Sequence, residues 1–343
     1  MKILGIESSC DDTSIAIVDS EKNIIANEVL SQNNIHKEYK GIVPELAARN
    51  HVLFIDKVLK KILNKNNLSL NNIDLIAATA GPGLIGGLLV GLTFAKTLAQ
   101  VNKIPFIGVN HLEGHALTAR LTDNIDYPFL LLLVSGGHTN FYFIEGINKY
   151  FYLGGTLDDA IGEAYDKVAN ILELGFPGGP NIEKLAKKGN EILIPLPKPL
   201  IKINNLDLSF SGLKTAVLNV IKNRSKNRIF SSADIAASFQ KSISDILCKK
   251  ITIAINIMNE KKVNYNNVVI AGGVAANKYL RKNLYIEVKK NNKNLYLPPV
   301  DLCTDNGAMI AWAGYELYKF GIRSNMNIRA SPRWPLEEMK EKR

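Results

Sequence analysis

Ile3-Leu4-Gly5-Ile6, Glu7-Ser8-Ser9-Cys10-Asp11-Asp12-Thr13 and Ser14-Ile15-Ala16-Ile17-Val18-Asp19 follow one another at the start of the chain. Two apolar, β-branched runs around a short polar segment predict strand, tight turn, strand. The layout returns further on. Phe129–Val134 is a second apolar run, Ser135-Gly136-Gly137-His138-Thr139 a second polar turn, and Asn140–Ile144 the returning strand. The two hairpins share a pattern and no residue-level similarity. With helices and strands alternating after each, the reading is a duplicated α/β architecture, two lobes with a nucleotide between them.

Working outward, apolar residues at helical spacing predict a helix from about 42 to 63. Leu75–Thr79 is a short buried strand running into Gly81-Pro82-Gly83-Leu84-Ile85-Gly86-Gly87, which opens a small-residue helix through Ala99. Ile104–Val109 is another strand. Further helices are expected at 158–174, after the 175–180 loop and through 233–258, with 195–207 as a surface loop. Val268–Ala271 is a strand ending in Gly272-Gly273, and the last helix covers about 306–320. The expected division is an N-terminal lobe at 1–124 and a C-terminal, nucleotide-binding lobe at 125–322. The 306–320 helix is expected to pack back toward the first lobe, and 323–343 forms a basic tail.

The 343 residues are 46% hydrophobic and 22% charged, as in an ordinary globular protein with ample core. No apolar run reaches the length of a membrane span, and the first residues enter a strand at once, leaving no room for a signal peptide. Three widely spaced cysteines, Cys10, Cys248 and Cys303, show no metal-type pairing, which fits a reduced, cytoplasmic setting. A formal charge of +10 favours a polyanionic partner, nucleic acid above all. The Asn-, Lys- and Ile-rich composition and isolated lysine clusters account for part of that charge without any partner.

The chemistry concentrates in His111-Leu112-Glu113-Gly114-His115. Imidazoles at i and i+4 share one face of a helix, the geometry of two neighbouring ligands of one metal ion. The chain has only five histidines. A zincin places its glutamate directly after the first histidine, and an inverzincin directly before the last. Glu113 lies between, on the far side of the helical wheel, so the segment predicts a metal site without the peptidase base. Acidic candidates for the chemistry are Glu7, Asp11 and Asp12 in the first turn, Asp166 in the helix after the second hairpin, and Asp305. Asp305, in Thr304-Asp305-Asn306-Gly307, serves equally as a helix N-cap or as a ligand. A His-His-Asp set suits a borderline metal with open positions. Cys303 reads as a small buried residue. Four glycine-rich turns, Gly81-Pro82-Gly83, Ser135-Gly136-Gly137-His138, Gly178-Gly179-Pro180 and Gly272-Gly273, favour a phosphorylated ligand, yet none is a Walker loop or a dinucleotide fingerprint.

The stretches GIESSCDDTSIAIVD, PELAARNH, GPGLIGGLLVG, VNHLEGH, LLLVSGGHT, GEAYDKVA, FPGGP, SFSGLKTA, AGGVAANKYLR and CTDNGAMIAWAG resemble the TsaD (Gcp/YgjD) family, over nearly the whole chain. The resemblance implies a two-lobed actin/hexokinase/Hsp70-like (ASKHA) fold with duplicated RNase H-like cores. It also implies transfer of a threonylcarbamoyl group from threonylcarbamoyl-AMP to N6 of adenosine 37 in tRNAs reading ANN codons. On that pattern His111, His115 and Asp305 hold one divalent metal ion, Fe2+ or Zn2+, per subunit. Val134, Ser135, Gly136, Gly137, His138, Asp166, Gly179, Glu183 and Asn277 fall at substrate-contacting positions. TsaB- and TsaE-type proteins are the implied partners, with a TsaC-type enzyme supplying the adenylate. The first turn departs from the family's Cys-Asp-Glu-Thr, since Asp12 is one methylene shorter than the usual glutamate.

For the reaction, Asp11 is the candidate acceptor of the N6 proton, and the amides of Ser135-Gly136-Gly137 are candidate donors to developing oxyanion or phosphate charge. The metal would orient the adenylate as a Lewis acid. Arg323, Arg329, Arg333 and Lys340–Arg343 are candidate tRNA phosphate contacts, against a solvated tail as the plain alternative. Three rival functions stand beside the transferase: a metallopeptidase of the sialoglycoprotein endopeptidase type, a kinase-like phosphotransferase using ATP directly, and a non-catalytic nucleotide-dependent scaffold.

Overall fold

The computed structural model describes residues 1–39, 41–222 and 230–339. It divides into two compact units. The first comprises Met1–Asp126, Glu145–Tyr150 and the chain from Thr304; the second comprises Tyr127–Ile144 and Phe151–Cys303.

In the first unit, β1 (Lys2–Glu7), β2 (Thr13–Asp19), β3 (Ile24–Leu30), β4 (Leu75–Gly81) and β5 (Phe106–Asn110) form a sheet of order β3-β2-β1-β4-β5. The opening hairpin is antiparallel, with Ile3 opposite Val18 and Glu7 opposite Ser14. β4 and β5 then add in parallel. β1, β4 and β5 are buried almost throughout, as expected of parallel strands covered on both faces. The helices are a single turn, α1 (Asn33–His36), then α2 (Pro44–Lys65), α3 (Ile85–Asn102), α4 (His111–Thr122) and, from the far end of the chain, α10 (Gly307–Lys319).

The last helix lies on β1, β2 and β4 and against α4. Glycines make that approach possible: a Cβ on Gly5 would fall 2.1 Å from the Gly307 carbonyl oxygen, and one on Gly307 would fall 2.5 Å from the Ala16 nitrogen. The chain after α10, expected as a separate basic tail, instead packs into this unit as far as it is described. Trp334, Leu336 and Met339 are buried, Ser331 N–H donates to the Ala80 carbonyl at 2.7 Å, and Lys96 Nζ donates to the Ile328 carbonyl. Arg323, Arg329 and Arg333 are exposed, while Lys340–Arg343 lie outside the described residues.

The second unit repeats the plan. β6 (Phe129–Val134), β7 (Thr139–Gly146), β8 (Lys149–Gly155), β9 (Asn267–Ala271) and β10 (Asn294–Tyr296) form a sheet of order β10-β9-β6-β7-β8. An antiparallel β6–β7 hairpin is again extended by two parallel strands, the strand plan of the first sheet. Its helices are α5 (Ile161–Ile171), α6 (Gly178–Ala186), α7 (Ser211–Lys222), α8 (Ser232–Glu260) and α9 (Lys278–Lys290). α8 starts at a capping box, with the Ser231 hydroxyl accepting from Asp234 N–H and the Asp234 carboxylate accepting from Ser231 N–H. No described helix is long and apolar enough to cross a membrane.

Candidate functional site

β5 ends at Asn110, whose side-chain oxygen accepts from Leu112 N–H at 2.8 Å and caps α4. That cap puts His111 and His115 on successive turns of a helix start. Their rings stand edge to face, 4.8 Å between centroids. Asp305 joins them from the turn before α10. His115 Nε2 lies 3.1 Å and His111 Nε2 3.5 Å from Asp305 Oδ1. Both functions open to Asp305 in the sequence are resolved here, because Asn306 takes the cap, accepting from Met309 N–H at 3.0 Å. Asp305 is left to face the histidines.

The three side chains fit a metal ion. Their ligand atoms all lie within 4.8 Å of one another. Tetrahedral ligands about 2.1 Å from an ion stand roughly 3.4 Å apart, close to the two spacings observed. The charge balance agrees. Burial works against a proton on His111, but the Asp305 and Glu7 carboxylates outweigh it and push its pKa up to about 9. Burial, then the charge of Asp305, lifts the Asp11 carboxyl above its usual range. Burial and the charges of Asp11 and Asp305 push Asp12 up to about 7, and its buried Oδ1 has no partner among the described residues. Such a gathering of carboxylates is eased by a cation. Glu113, by contrast, is buried and accepts from the Tyr150 hydroxyl at 2.6 Å. It is tied to a tyrosine, outside the trio.

In the sequence Glu7 is one of three acidic residues of the first turn, with no sign of a special place. The structure gives it a specific place. It is fully buried at the end of β1, and its Oε2 lies 3.1 Å from His111 Nδ1. Although burial alone would raise the Glu7 carboxyl, the charge of His111 and hydrogen bonds from His111 and Thr79 hold it below its ordinary range. His51, also without a prior role, pins the first turn: its ring nitrogens lie 2.7 Å from Thr13 Oγ1 and 3.0 Å from the Cys10 carbonyl. Cys303, buried, has its thiol against the Pro298 and Pro299 carbonyls and belongs to the packing of the second unit.

A cavity of about 350 Å³ opens in the second unit. Gly136, Asp166, Gly179, Glu183 and Asn277 of the expected substrate positions line it, with Tyr165, Gly273 and Val274. Val134, Ser135, Gly137 and His138 do not. Val134 ends β6 in the core, and Ser135 and His138 close the turn, with Ser135 N–H donating to the His138 carbonyl at 2.8 Å and His138 N–H to Ser135 Oγ at 3.1 Å. Gly272, with φ of +98°, lets the next turn pass so close to β6 that a Cβ there would fall 2.4 Å from the Val134 carbonyl oxygen. At Gly136, Gly179 and Gly273 a Cβ would meet nothing within 4 Å, so these glycines keep the cavity open. Asn277 is committed within the protein, capping α9 through Leu280 N–H and donating to Gln240 Oε1 at 2.8 Å. Glu183 accepts from Lys278 N–H, and Asp166 from Gly178 N–H at the start of α6. The volume and mostly apolar lining suit a small molecule.

The family model described as "TsaD: tRNA N6-adenosine threonylcarbamoyltransferase" matches residues 23–312. A tRNA N6-adenosine threonylcarbamoyltransferase of Rickettsia bellii is 54% identical over 339 residues, covering 98% of this chain and 99% of its own. A protein of the same name from Rickettsia rickettsii is 52% identical, covering 99% of each. Among solved structures, full-length HypF in its phosphate- and nucleotide-bound form aligns with a TM-score of 0.62 at 13% identity, over 93% of this chain and 46% of HypF. The ADPNP-bound activator of 2-hydroxyisocaproyl-CoA dehydratase from Clostridium difficile aligns with a TM-score of 0.52 at 15% identity, over 95% of this chain and 99% of that one. At such identities the likeness is one of fold, and it is the ASKHA class that the resemblance to the TsaD family implies. On a family match spanning most of its length and relatives identical at more than half of the aligned positions, this chain belongs to the TsaD family.

Proposed function

We propose that this chain transfers the threonylcarbamoyl group of threonylcarbamoyl-AMP to N6 of adenosine 37 in tRNAs that read ANN codons. The observation that carries the reading is the trio of His111, His115 and Asp305 with Glu113 held by Tyr150. A metal site built this way has no glutamate placed as a peptidase base. A phosphotransferase using ATP directly would leave the paired histidines without a purpose, and a scaffold would not need the trio.

A bond forms between N6 and the carbamoyl carbon, the bond from that carbon to the phosphate oxygen breaks, AMP leaves, and N6 gives up a proton. Asp11 accepts that proton; the raised basicity that burial and Asp305 confer on it supports the assignment. The cavity bounded by Gly136, Tyr165, Gly179 and Gly273 takes the adenosine of the donor. Fe2+ or Zn2+ fits the two nitrogens and one oxygen of the trio, and when bound supplies Lewis acidity toward phosphate or carbamoyl oxygens. The exposed Arg323, Arg329 and Arg333 offer phosphate contacts to tRNA. TsaB- and TsaE-type proteins act with the chain, a TsaC-type enzyme makes the donor, and the setting is the cytoplasm.

The test offers three substrates in parallel to the metal-loaded chain with TsaB- and TsaE-type partners. They are donor labelled in its threonine together with unmodified tRNA, a sialoglycoprotein, and ATP labelled at the γ-phosphate. Label passing into tRNA alone is the expected result. Cleavage of the glycoprotein, or label from ATP on an acceptor, would overturn it.

A further inference from the structure

We infer that Glu7 is a positioning residue for the metal trio: its buried carboxylate fixes the tautomer of His111, so that Nε2 is the nitrogen offered to the ion. The inference concerns the trio alone and can be tested on metal binding with no tRNA or donor present, so its failure is distinguishable from failure of the transferase reading.

Glu7 Oε1 accepts from Ser9 N–H at 2.6 Å. Oε2 accepts from the Thr79 hydroxyl at 2.5 Å and faces His111 Nδ1 at 3.1 Å. An ionised carboxylate can only accept, so His111 must carry its hydrogen on Nδ1 to make this contact. Ser9 Oγ, also 3.1 Å from Nδ1, then has to accept as well. In the neutral ring, the form that binds a metal, the nitrogen left with a free lone pair is then Nε2, the one turned toward Asp305. A carboxylate held from behind in this way orients a ligand histidine and raises its basicity. His115 has no such support, since its Nδ1 is buried without a hydrogen-bond partner among the described residues. The trio therefore depends on Glu7 for the orientation of one ligand and on packing for the other.

An amide cannot replace this carboxylate. In Glu7→Gln the single oxygen can face either Ser9 N–H or the His111–Thr79 side. With the NH2 toward His111, Nδ1 is forced to accept and the hydrogen moves to Nε2, removing the ligand lone pair. With the NH2 toward Ser9, two N–H groups oppose one another in a buried site.

The experiment titrates Co2+ into wild type and Glu7→Gln against a chelator, following the visible absorption of the bound ion. Glu7→Gln should weaken binding by roughly 10- to 100-fold, and Ser9→Ala should stay within about threefold of wild type. Binding by Glu7→Gln within twofold of wild type would overturn the inference. Nitrogen-15 NMR of the Zn2+-loaded wild-type protein, which needs no variant, is decisive if Glu7→Gln does not fold. A protonated Nδ1 and a metal-bound Nε2 on His111 are expected, and the reverse assignment would refute the role of Glu7.

Discussion

In the metal-free protein His111 carries a proton at neutral pH, because Asp305 and Glu7 outweigh its burial and push its pKa up to about 9. A metal ion needs the neutral ring, so binding at pH 7 must displace that proton. Between pH 7 and pH 9 the affinity should therefore rise by some 50-fold, at first about tenfold per pH unit, and level off above. The metal-free fold follows the opposite course. The folded pKa of His111 lies above its ordinary 6.5, so its contribution to stability is fully present below pH 6.5 and is lost as pH rises through 9. A gap of two to three pKa units is worth about 3 kcal/mol. Chelator competition at half-unit steps from pH 6.5 to 9.5 reads the first effect. Calorimetry in buffers of different ionisation heat should count about one proton released per ion at pH 7. Thermal melts of the metal-free protein should fall as pH rises from 6.5 to 9.5, with the loss much reduced by saturating metal. A flat affinity between pH 7 and 8.5, with no proton released, would refute this account of the charge balance around the trio.

Three further outcomes follow from particular contacts. Gly179→Leu places a side chain in open cavity space at the first turn of α6; affinity for adenosine nucleotides, read by equilibrium dialysis, should fall more than about tenfold while the melting temperature holds or rises, leucine being the better helix former by up to about 1 kcal/mol. Asn306→Ala removes the cap of α10 and should lower stability in chemical denaturation by about 1 kcal/mol with metal binding kept, whereas Asp305→Ala should abolish metal binding with the cap intact. Asp11→Asn, metal-loaded, should transfer the threonylcarbamoyl group at least about 100-fold more slowly in single-turnover assays, and a rate within threefold of wild type would remove Asp11 as the base.

What the sequence displayed and what it hid divide along physical lines. The β1–β2 and β6–β7 hairpins were legible because long apolar runs flank short polar turns, and both anchor sheets of the same strand plan. β3 was not, since as an edge strand it carries Asn27 and Glu28 among half-exposed residues and shows no apolar face. α9 hid behind its lysines, although Leu280, Leu284 and Val288, buried at four-residue spacing, were the signal that could have found it. The paired histidines were legible because their spacing is local. Their relation to Asp305, 190 residues beyond His115, depends on α10 docking against β1 over Gly5 and Gly307, which no local pattern encodes. The same holds for Glu7, 104 residues before His111. Whether Asp305 or Asn306 capped the last helix was undecidable from a Thr-Asp-Asn-Gly string, in which two neighbours are both good caps.

Mass spectrometry of position 37 in an unmodified ANN-decoding tRNA shows whether the chain is the transferase. The tRNA is incubated with threonylcarbamoyl-AMP, the metal-loaded chain and its TsaB- and TsaE-type partners, beside a parallel reaction with His111→Ala. Threonylcarbamoyladenosine is expected at position 37 with the wild-type chain and is expected to be lost with the variant. An unmodified adenosine in both reactions, given partners shown to be active, would contradict the transferase assignment.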